Sequence, residues 1–93
     1  GVDHCFLLEK NKRKKPDAML SSDLTGVTLA IYSNQIAMQV YTGHFLTSPL
    51  RSYAGICLEP QSYTDAVNQP RFPSILIDSD QVYRHTSLFE FSS

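Results

Sequence analysis

The apolar residues of this chain fall in short runs separated by turn residues, and this pattern most limits the folds that are open to it. Residues 27–33 alternate, with Val27, Leu29 and Ile31 on one side, which is the period of a half-buried strand. No segment carries the apolar stripe of an amphipathic helix. The sequence therefore predicts an all-β chain, with about six or seven antiparallel strands arranged as a β-sandwich.

The predicted strands are spaced along the whole chain, with turns or loops between them. Turn chemistry at residues 23–26 ends one strand, and residues 61–73 form a long polar loop without periodicity. The chain starts at Gly1 and enters a strand at once, as if it were cut from a longer protein. The strand predictions cover residues 5–8, 18–22, 27–33, 37–41, 53–58, 75–77 and 82–91.

Composition favours a single globular segment over residues 1–93, because 42% of the residues are hydrophobic and 18% are charged. The net charge of −1 gives no overall field that would favour nucleic acid or a membrane surface, and no stretch is long enough to span a membrane. The basic residues are nevertheless clustered, with Lys10, Lys12, Arg13, Lys14 and Lys15 close together. We interpret this cluster as a solvated hairpin tip, with phosphate or nucleic-acid binding as the alternative.

Cysteine and histidine spacing gives no metal site. Cys5 and Cys57 lie inside apolar runs without a CxxC pattern. They are interpreted as buried free thiols of a cytoplasmic protein, and a disulfide between them stays open. His4, His44 and His85 lack the spacing of zinc ligands, so no metal is expected.

One carboxylate stands out by its position. Glu59 follows an apolar run and precedes Pro60, which restricts Glu59 to extended geometry at the predicted strand end. A partly desolvated carboxylate there could act as a general base, although position alone favours a solvated charge. Asp3 and His4 are neighbours in a strand, so they point to opposite faces and do not easily serve one site.

Several amide and aromatic side chains would suit a polyol, because sugars are held by planar hydrogen-bonding groups and by rings under their C–H faces. For most of the aromatic residues, a place in the core is the simpler interpretation. The candidates are Tyr32, Asn34, Gln35, Gln39, Tyr41, Tyr53, Gln61, Tyr63, Asn68, Gln69 and Phe72.

Four segments in the same order resemble the aldose 1-epimerase (galactose mutarotase) family. They are GVDHCF at 1–6, QVYTGHFL at 39–46, GICLEPQSYTDAVNQP at 55–70 and the closing segment YRHTSLFEF at 83–91. The third segment is similar to the family signature around the catalytic glutamate and is the most specific. Together the four cover essentially the whole chain.

The resemblance implies a large antiparallel β-sandwich of the galactose mutarotase type, with this chain as its C-terminal part. It implies interconversion of the α and β anomers of free hexoses such as galactose and glucose, without cofactor or metal. Glu59 matches the base that takes the proton from the anomeric hydroxyl, and Asp3 and Gln39 match residues that hold sugar hydroxyls. The alternatives are a sugar-binding module without catalysis and an inactive fragment.

The chain also departs from the family pattern. The family's acid is a histidine from the N-terminal part of the sandwich, and none of the three histidines here matches it. The N-terminal part of the same sandwich is therefore an expected partner of this chain. His44 stands where the family has asparagine, and the connection over residues 46–53 is shorter than usual.

Overall fold

The computed structural model describes residues 1–10, 14–71 and 73–93, and these form two antiparallel sheets of three strands each. The described residues contain no α-helix and no helix that could cross a membrane. The prediction of an all-β chain is confirmed. The elements are β1 (Asp3–Leu7), β2 (Ala18–Ser21), β3 (Thr28–Ser33), β4 (Ala37–Tyr41), β5 (Cys57–Gln61), a 3₁₀ turn (Ala66–Asn68) and β6 (Ser87–Ser92).

The first sheet has the strand order β1-β4-β5, so β4 lies in the middle. Its register places Cys5 opposite Gln39, and Gln39 opposite Glu59. Because side chains alternate between the two faces of a strand, directly opposed residues share a face. This row therefore runs across all three strands on one side of the sheet.

The second sheet has the order β2-β3-β6, and its central strand supplies much of the small core. Ala30 and Ile31 are adjacent on β3 and both are buried, although they point to opposite faces. The prediction of a half-buried strand over residues 27–33 was therefore wrong in this respect, since the centre of β3 is covered on both sides. Met38 and Ala37 on β4 complete the buried apolar positions of the strands.

Three strand predictions were wrong in whole or in part, and one of them is the run 82–91, because β6 begins only at Ser87. The run 53–58 was predicted as a strand that ends at Glu59, whereas β5 spans Cys57–Gln61. Pro60 therefore lies within a strand, which is tolerated because β5 is at the edge of its sheet and a missing N–H costs little there. The short run 75–77 is exposed and irregular, because none of the described strands pairs with it.

Many large apolar side chains of both sheets are exposed, so each sheet keeps uncovered apolar surface. Phe91 on β6 is 69% exposed, and Phe6 on β1 and Met19 on β2 are exposed as well. Where exposed apolar side chains form a contiguous patch, that patch usually meets another protein surface. The described residues therefore supply two sheets whose apolar faces have few partners within the chain.

A short turn that contains Asp65 follows Glu59 along the chain. Asn68 Nδ2 donates to Asp65 Oδ1 at 2.7 Å, and Gln69 Nε2 donates to Asp65 Oδ2 at 3.2 Å. These two hydrogen bonds, the bond from Asn68 first, hold the pKa of Asp65 below its ordinary value. The lowered pKa means that the ionised carboxylate is the form that this turn stabilises.

We expect Asn68→Ala to raise the pKa of Asp65 toward its ordinary value. Because the folded-state pKa is lowered, the hydrogen bonds contribute stability above the ordinary carboxyl pKa, and that contribution is lost as the pH falls through the folded-state value. An NMR titration of the Asp65 carboxyl carbon measures this pKa in the unchanged protein and in Asn68→Ala. An unchanged pKa in Asn68→Ala would contradict the assignment.

Candidate active site

The β1-β4-β5 sheet has one face that carries the predicted site residues. Asp3 and Cys5 on β1 have the same parity, and their cross-strand partners on β4 are Tyr41 and Gln39. Glu59 on β5 lies opposite Gln39 and so joins the same face. We call Asp3, Gln39 and Glu59 the polar triad. The alternation of three strands brings together residues that lie up to 56 positions apart in sequence (59 minus 3).

Gln39 occupies the centre of this face and is fixed by Asp3. Its Nε2 donates to Asp3 Oδ1 at 2.7 Å. An ionised carboxylate only accepts hydrogen bonds, so Gln39 must present its NH₂ group to Asp3. The carbonyl oxygen of the same amide is then directed elsewhere and can accept a hydrogen bond from a hydroxyl. Asp3 and Gln39 together therefore offer hydrogen-bond acceptors whose orientation is fixed by their mutual bond.

Glu59 lies in the middle of β5, and the prediction that it sits at a strand end was wrong. Its side chain is exposed and forms no hydrogen bond or ion pair within the described part of the chain. Directly opposed residues have Cβ atoms about 5 Å apart, so Glu59 and Gln39 can contact the same small ligand. The exposed carboxylate is available to take a proton from such a ligand.

Both cysteines also lie on this face, which the sequence interpretation missed. Cys5 opposes Gln39 and is half-buried, with Gln61 Nε2 at 3.9 Å from its Sγ. Cys57 opposes Tyr41 and is exposed, so its prediction as a buried thiol was wrong. Both thiols are free, and the central strand β4 separates their strands. The shared parity of Asp3 and Cys5 in β1 was the signal that could have placed Cys5 here.

A tight turn after β4 closes one end of the face. Gly43 adopts φ 74°, and its carbonyl accepts from the N–H of Tyr53 at 2.8 Å. The Tyr41 hydroxyl accepts from the N–H of Phe45 at 3.0 Å, so this ring is held against the turn. His44 packs between the Tyr41 and Phe45 rings, at centroid distances of 5.2 and 4.3 Å.

His44 also contacts the start of the chain. Its Nδ1 lies 3.3 Å from Thr42 Oγ1, and that hydroxyl oxygen accepts from the N–H of Val2 at 2.9 Å. The ring lies so close to Gly1 that a Cβ at Gly1 would overlap it. His44 therefore ties the beginning of β1 to the turn after β4, and the position that departs from the family pattern has a packing role.

The other two histidines lie away from the polar triad. His4 points to the opposite face of β1, as its neighbour relation to Asp3 predicted, and contacts Phe6 edge-on at 6.2 Å. His85 precedes β6 in the other sheet and hydrogen-bonds with Ser87 at 3.1 Å. Among the described residues, no cluster of three metal-ligating side chains is present.

The polyol candidates separate into groups. Gln39, Tyr41 and Gln61 share the face of the polar triad. The others lie elsewhere or are engaged: Gln35 is buried and donates to Asn34, and Asn68 and Gln69 bind Asp65. Phe72 lies outside the described residues. Of the remaining candidates, Tyr53 contacts the turn after β4, and the others lie on other parts of the chain: Tyr32, Asn34 and Tyr63.

Comparison with known proteins gives a consistent result over the length of the chain. The galactose mutarotase of Rattus norvegicus is 41% identical over 100 aligned residues, which cover 99% of this chain and 29% of the relative. The galactose mutarotase of Homo sapiens is 40% identical with the same coverage. An aldose 1-epimerase of Haemophilus influenzae is 35% identical over 79 residues, covering 77% of this chain and 23% of the relative.

The chain thus spans about 29% of the length of the mammalian relatives that it matches. The family model for aldose 1-epimerase matches residues 1–90, so nearly every described element lies inside the match. The two antiparallel sheets agree with the β-sandwich that the resemblance implied. The chain belongs to the aldose 1-epimerase family.

Proposed function

We propose that this chain is the base-bearing, C-terminal part of an aldose 1-epimerase that interconverts the α and β anomers of free hexoses such as galactose and glucose. The observation that carries the proposal is the polar triad, because Asp3, Gln39 and Glu59 share one sheet face and Gln39 is bonded to Asp3. Family membership and the relatives' names support it.

The proposed reaction needs only proton transfer. The Glu59 carboxylate takes the proton from the anomeric hydroxyl, the bond between C1 and the ring oxygen breaks, and an acid delivers a proton to that ring oxygen. The open aldehyde rotates about the C1–C2 bond. Closure on the other face of the carbonyl then reverses each proton transfer. The sugar carries no charge, so hydrogen bonds to its hydroxyls must orient it for the reaction.

Within the polar triad, Asp3 and Gln39 bind the sugar and Glu59 transfers the proton. The Gln39 carbonyl oxygen and the free positions of the Asp3 carboxylate accept hydrogen bonds from sugar hydroxyls. Glu59, directly across from Gln39, then meets the anomeric hydroxyl of the same ring. No cofactor or metal enters this scheme.

The acid belongs, in this proposal, to the N-terminal part of the same sandwich. His4 points away from the polar triad, His85 lies beside the other sheet, and His44 is packed among the aromatic rings of the turn. The partner would also cover part of the exposed apolar surface of the two sheets. The two free thiols support a cytoplasmic location for the whole protein.

Polarimetry on α-D-galactose and α-D-glucose tests the proposal. We expect the full-length protein to accelerate the change of optical rotation, and the 93-residue chain alone to leave it at the spontaneous rate. Acceleration by the chain alone would contradict an acid supplied from outside it. A full-length protein that binds galactose in calorimetry without accelerating the change would identify a sugar-binding module instead.

We expect Gln39→Met to weaken sugar binding more than it slows the chemical step. Methionine keeps the length of the side chain but removes the carbonyl acceptor and the bond to Asp3. One lost hydrogen bond is worth about 1 kcal/mol, so KM should rise about fivefold or more while kcat falls less. Steady-state kinetics of the full-length protein measures both constants.

The matched control for this prediction is Gln81→Met, in an exposed turn of the other half of the chain. Gln81 accepts a hydrogen bond from the N–H of Asp78 and lies outside the sheet that carries the polar triad. It should leave KM unchanged. A Gln39→Met protein with normal KM would remove Gln39 from the proposed binding role.

A further inference from the structure

A basic cavity lies at the other sheet, away from the polar triad. It has a volume of about 380 Å³ and lies where the connection between β1 and β2 meets β3 and the segment leading into β6. Among the described residues that line it, none belongs to β1, β4 or β5, so the cavity is separate from the proposed sugar site. The residues that matter here are Lys10, Lys14, Lys15, Tyr32, Ser33 and Thr86.

The described lining residues of the cavity include three lysines and a single acid, Asp17. Lys10 Nζ binds Asp17 Oδ1 at 3.1 Å and the Ser33 carbonyl at 2.8 Å, so this lysine is fixed as part of the wall. Lys14 and Lys15 form no ion pair with any described residue. Two uncompensated ammonium groups at one cavity, in a chain whose net charge is −1, make a local site for an anion.

Hydroxyl groups supply further hydrogen-bond donors in the same cavity. The Ser33 oxygen accepts from the N–H of Gln35 and from the Ser87 hydroxyl, each at 3.1 Å. These two contacts hold the Ser33 hydroxyl in place beside the cavity. Tyr32 and Thr86 add hydroxyls, and Leu88 adds an apolar wall. Lysines as point charges with several hydroxyl donors suit a tetrahedral phosphate.

We propose that this cavity binds a small phosphate monoester, with the phosphate on Lys14 and Lys15 and the organic part against Tyr32 and Leu88. The volume falls in the range of small-ligand sites, about 300–1,000 Å³, and leaves room for more than the phosphate. A nucleic acid would need a longer basic stripe that follows its backbone. The described lysines instead lie around one shallow, open site.

The test uses the full-length protein and two probes, inorganic phosphate and glycerol 3-phosphate, with glycerol as the uncharged comparison. We expect both phosphates to shift the NMR signals of Lys14, Tyr32 and Ser33, with glycerol 3-phosphate binding the tighter. The double variant Lys14→Gln/Lys15→Gln should weaken the affinity about tenfold or more, since it removes two charge-assisted contacts. Both lysines are exposed, so the variant should fold normally.

The matched control is Arg51→Gln/Arg71→Gln, which removes the same charge outside the cavity and should leave phosphate affinity unchanged. An equal loss of phosphate affinity in both double variants would mean that the anion is attracted by the overall charge of the protein, and would overturn the proposal. Failure of glycerol 3-phosphate to shift these signals would overturn it too. So would binding of a single-stranded oligonucleotide that the phosphates fail to displace. None of these outcomes depends on mutarotation.

Discussion

In the full-length protein, Glu59→Gln should lower the rate of mutarotation of α-D-galactose by about 10²–10⁴-fold, which is the usual contribution of a general base. Glutamine keeps the size and the hydrogen-bonding shape of the side chain but cannot take a proton at neutral pH. Glu59 is exposed and unbonded within the described residues, so the substitution removes no structural contact of this chain. The change should appear in kcat, with sugar binding largely kept.

Polarimetry over a range of galactose concentrations separates kcat from KM for this variant. Glu90→Gln is the matched control, because Glu90 is an exposed strand glutamate on β6 of the other sheet. The Glu90→Gln protein should catalyse mutarotation at the normal rate. A Glu59→Gln protein that retains the normal kcat would show that another group is the base, and the proposed mechanism would then fail.

Gly43→Ala should destabilise the protein far more than Gly26→Ala, although both glycines have φ 74°. A Cβ at Gly43 would lie 2.5 Å from the carbonyl oxygen of Gly55 and 2.9 Å from Leu46 Cδ1. A Cβ at Gly26 would meet nothing within 4 Å. The left-handed backbone costs an alanine about 1–2 kcal/mol at either position. Crowding adds about 1–3 kcal/mol at Gly43 alone.

Urea unfolding of the two variants and the unchanged protein measures the difference. Both variants place an alanine at φ 74°, so the cost of the backbone conformation is the same in each. Any additional loss of unfolding free energy in Gly43→Ala therefore reports the contact with Gly55. The same turn holds Tyr41 through the N–H of Phe45, so Gly43→Ala should also reduce mutarotation while Gly26→Ala should not. Equal destabilisation of the two variants would show that the turn can move away from Gly55.

Local pattern was sufficient to predict most of the strands. The predicted strand at residues 37–41 has the bounds of β4, and the prediction at 18–22 extends one residue beyond β2. Both have residues that suit a pleated surface between clear turn signals. The strand containing Glu59 was misplaced because Pro60 was read as its end. Proline is excluded from central strands but not from edge strands, and the position of β5 in the sheet is not a local property.

The same distinction between local and non-local information explains which site residues could be placed from the sequence. Alternation within β1 correctly separated Asp3 from His4, because the two-residue period is local. The thiols of Cys5 and Cys57 were assigned to the core from their apolar neighbours. In a strand, however, the neighbours of a residue lie on the other face, and which face is covered depends on packing.

By itself, the sequence determined the all-β class and the family, since these depend on short-range periodicity and on specific local segments. Its resemblance to that family singled out Asp3, Gln39 and Glu59, which remain the proposed site residues. Only the tertiary structure decided that β4 lies between β1 and β5, which places Gln39 between Asp3 and Glu59. It also decided that Lys10, Lys14 and Lys15 line a cavity at β3 and the segment leading into β6. Strand order and register depend on contacts between distant segments, and the sequence of each segment specifies only its own alternation.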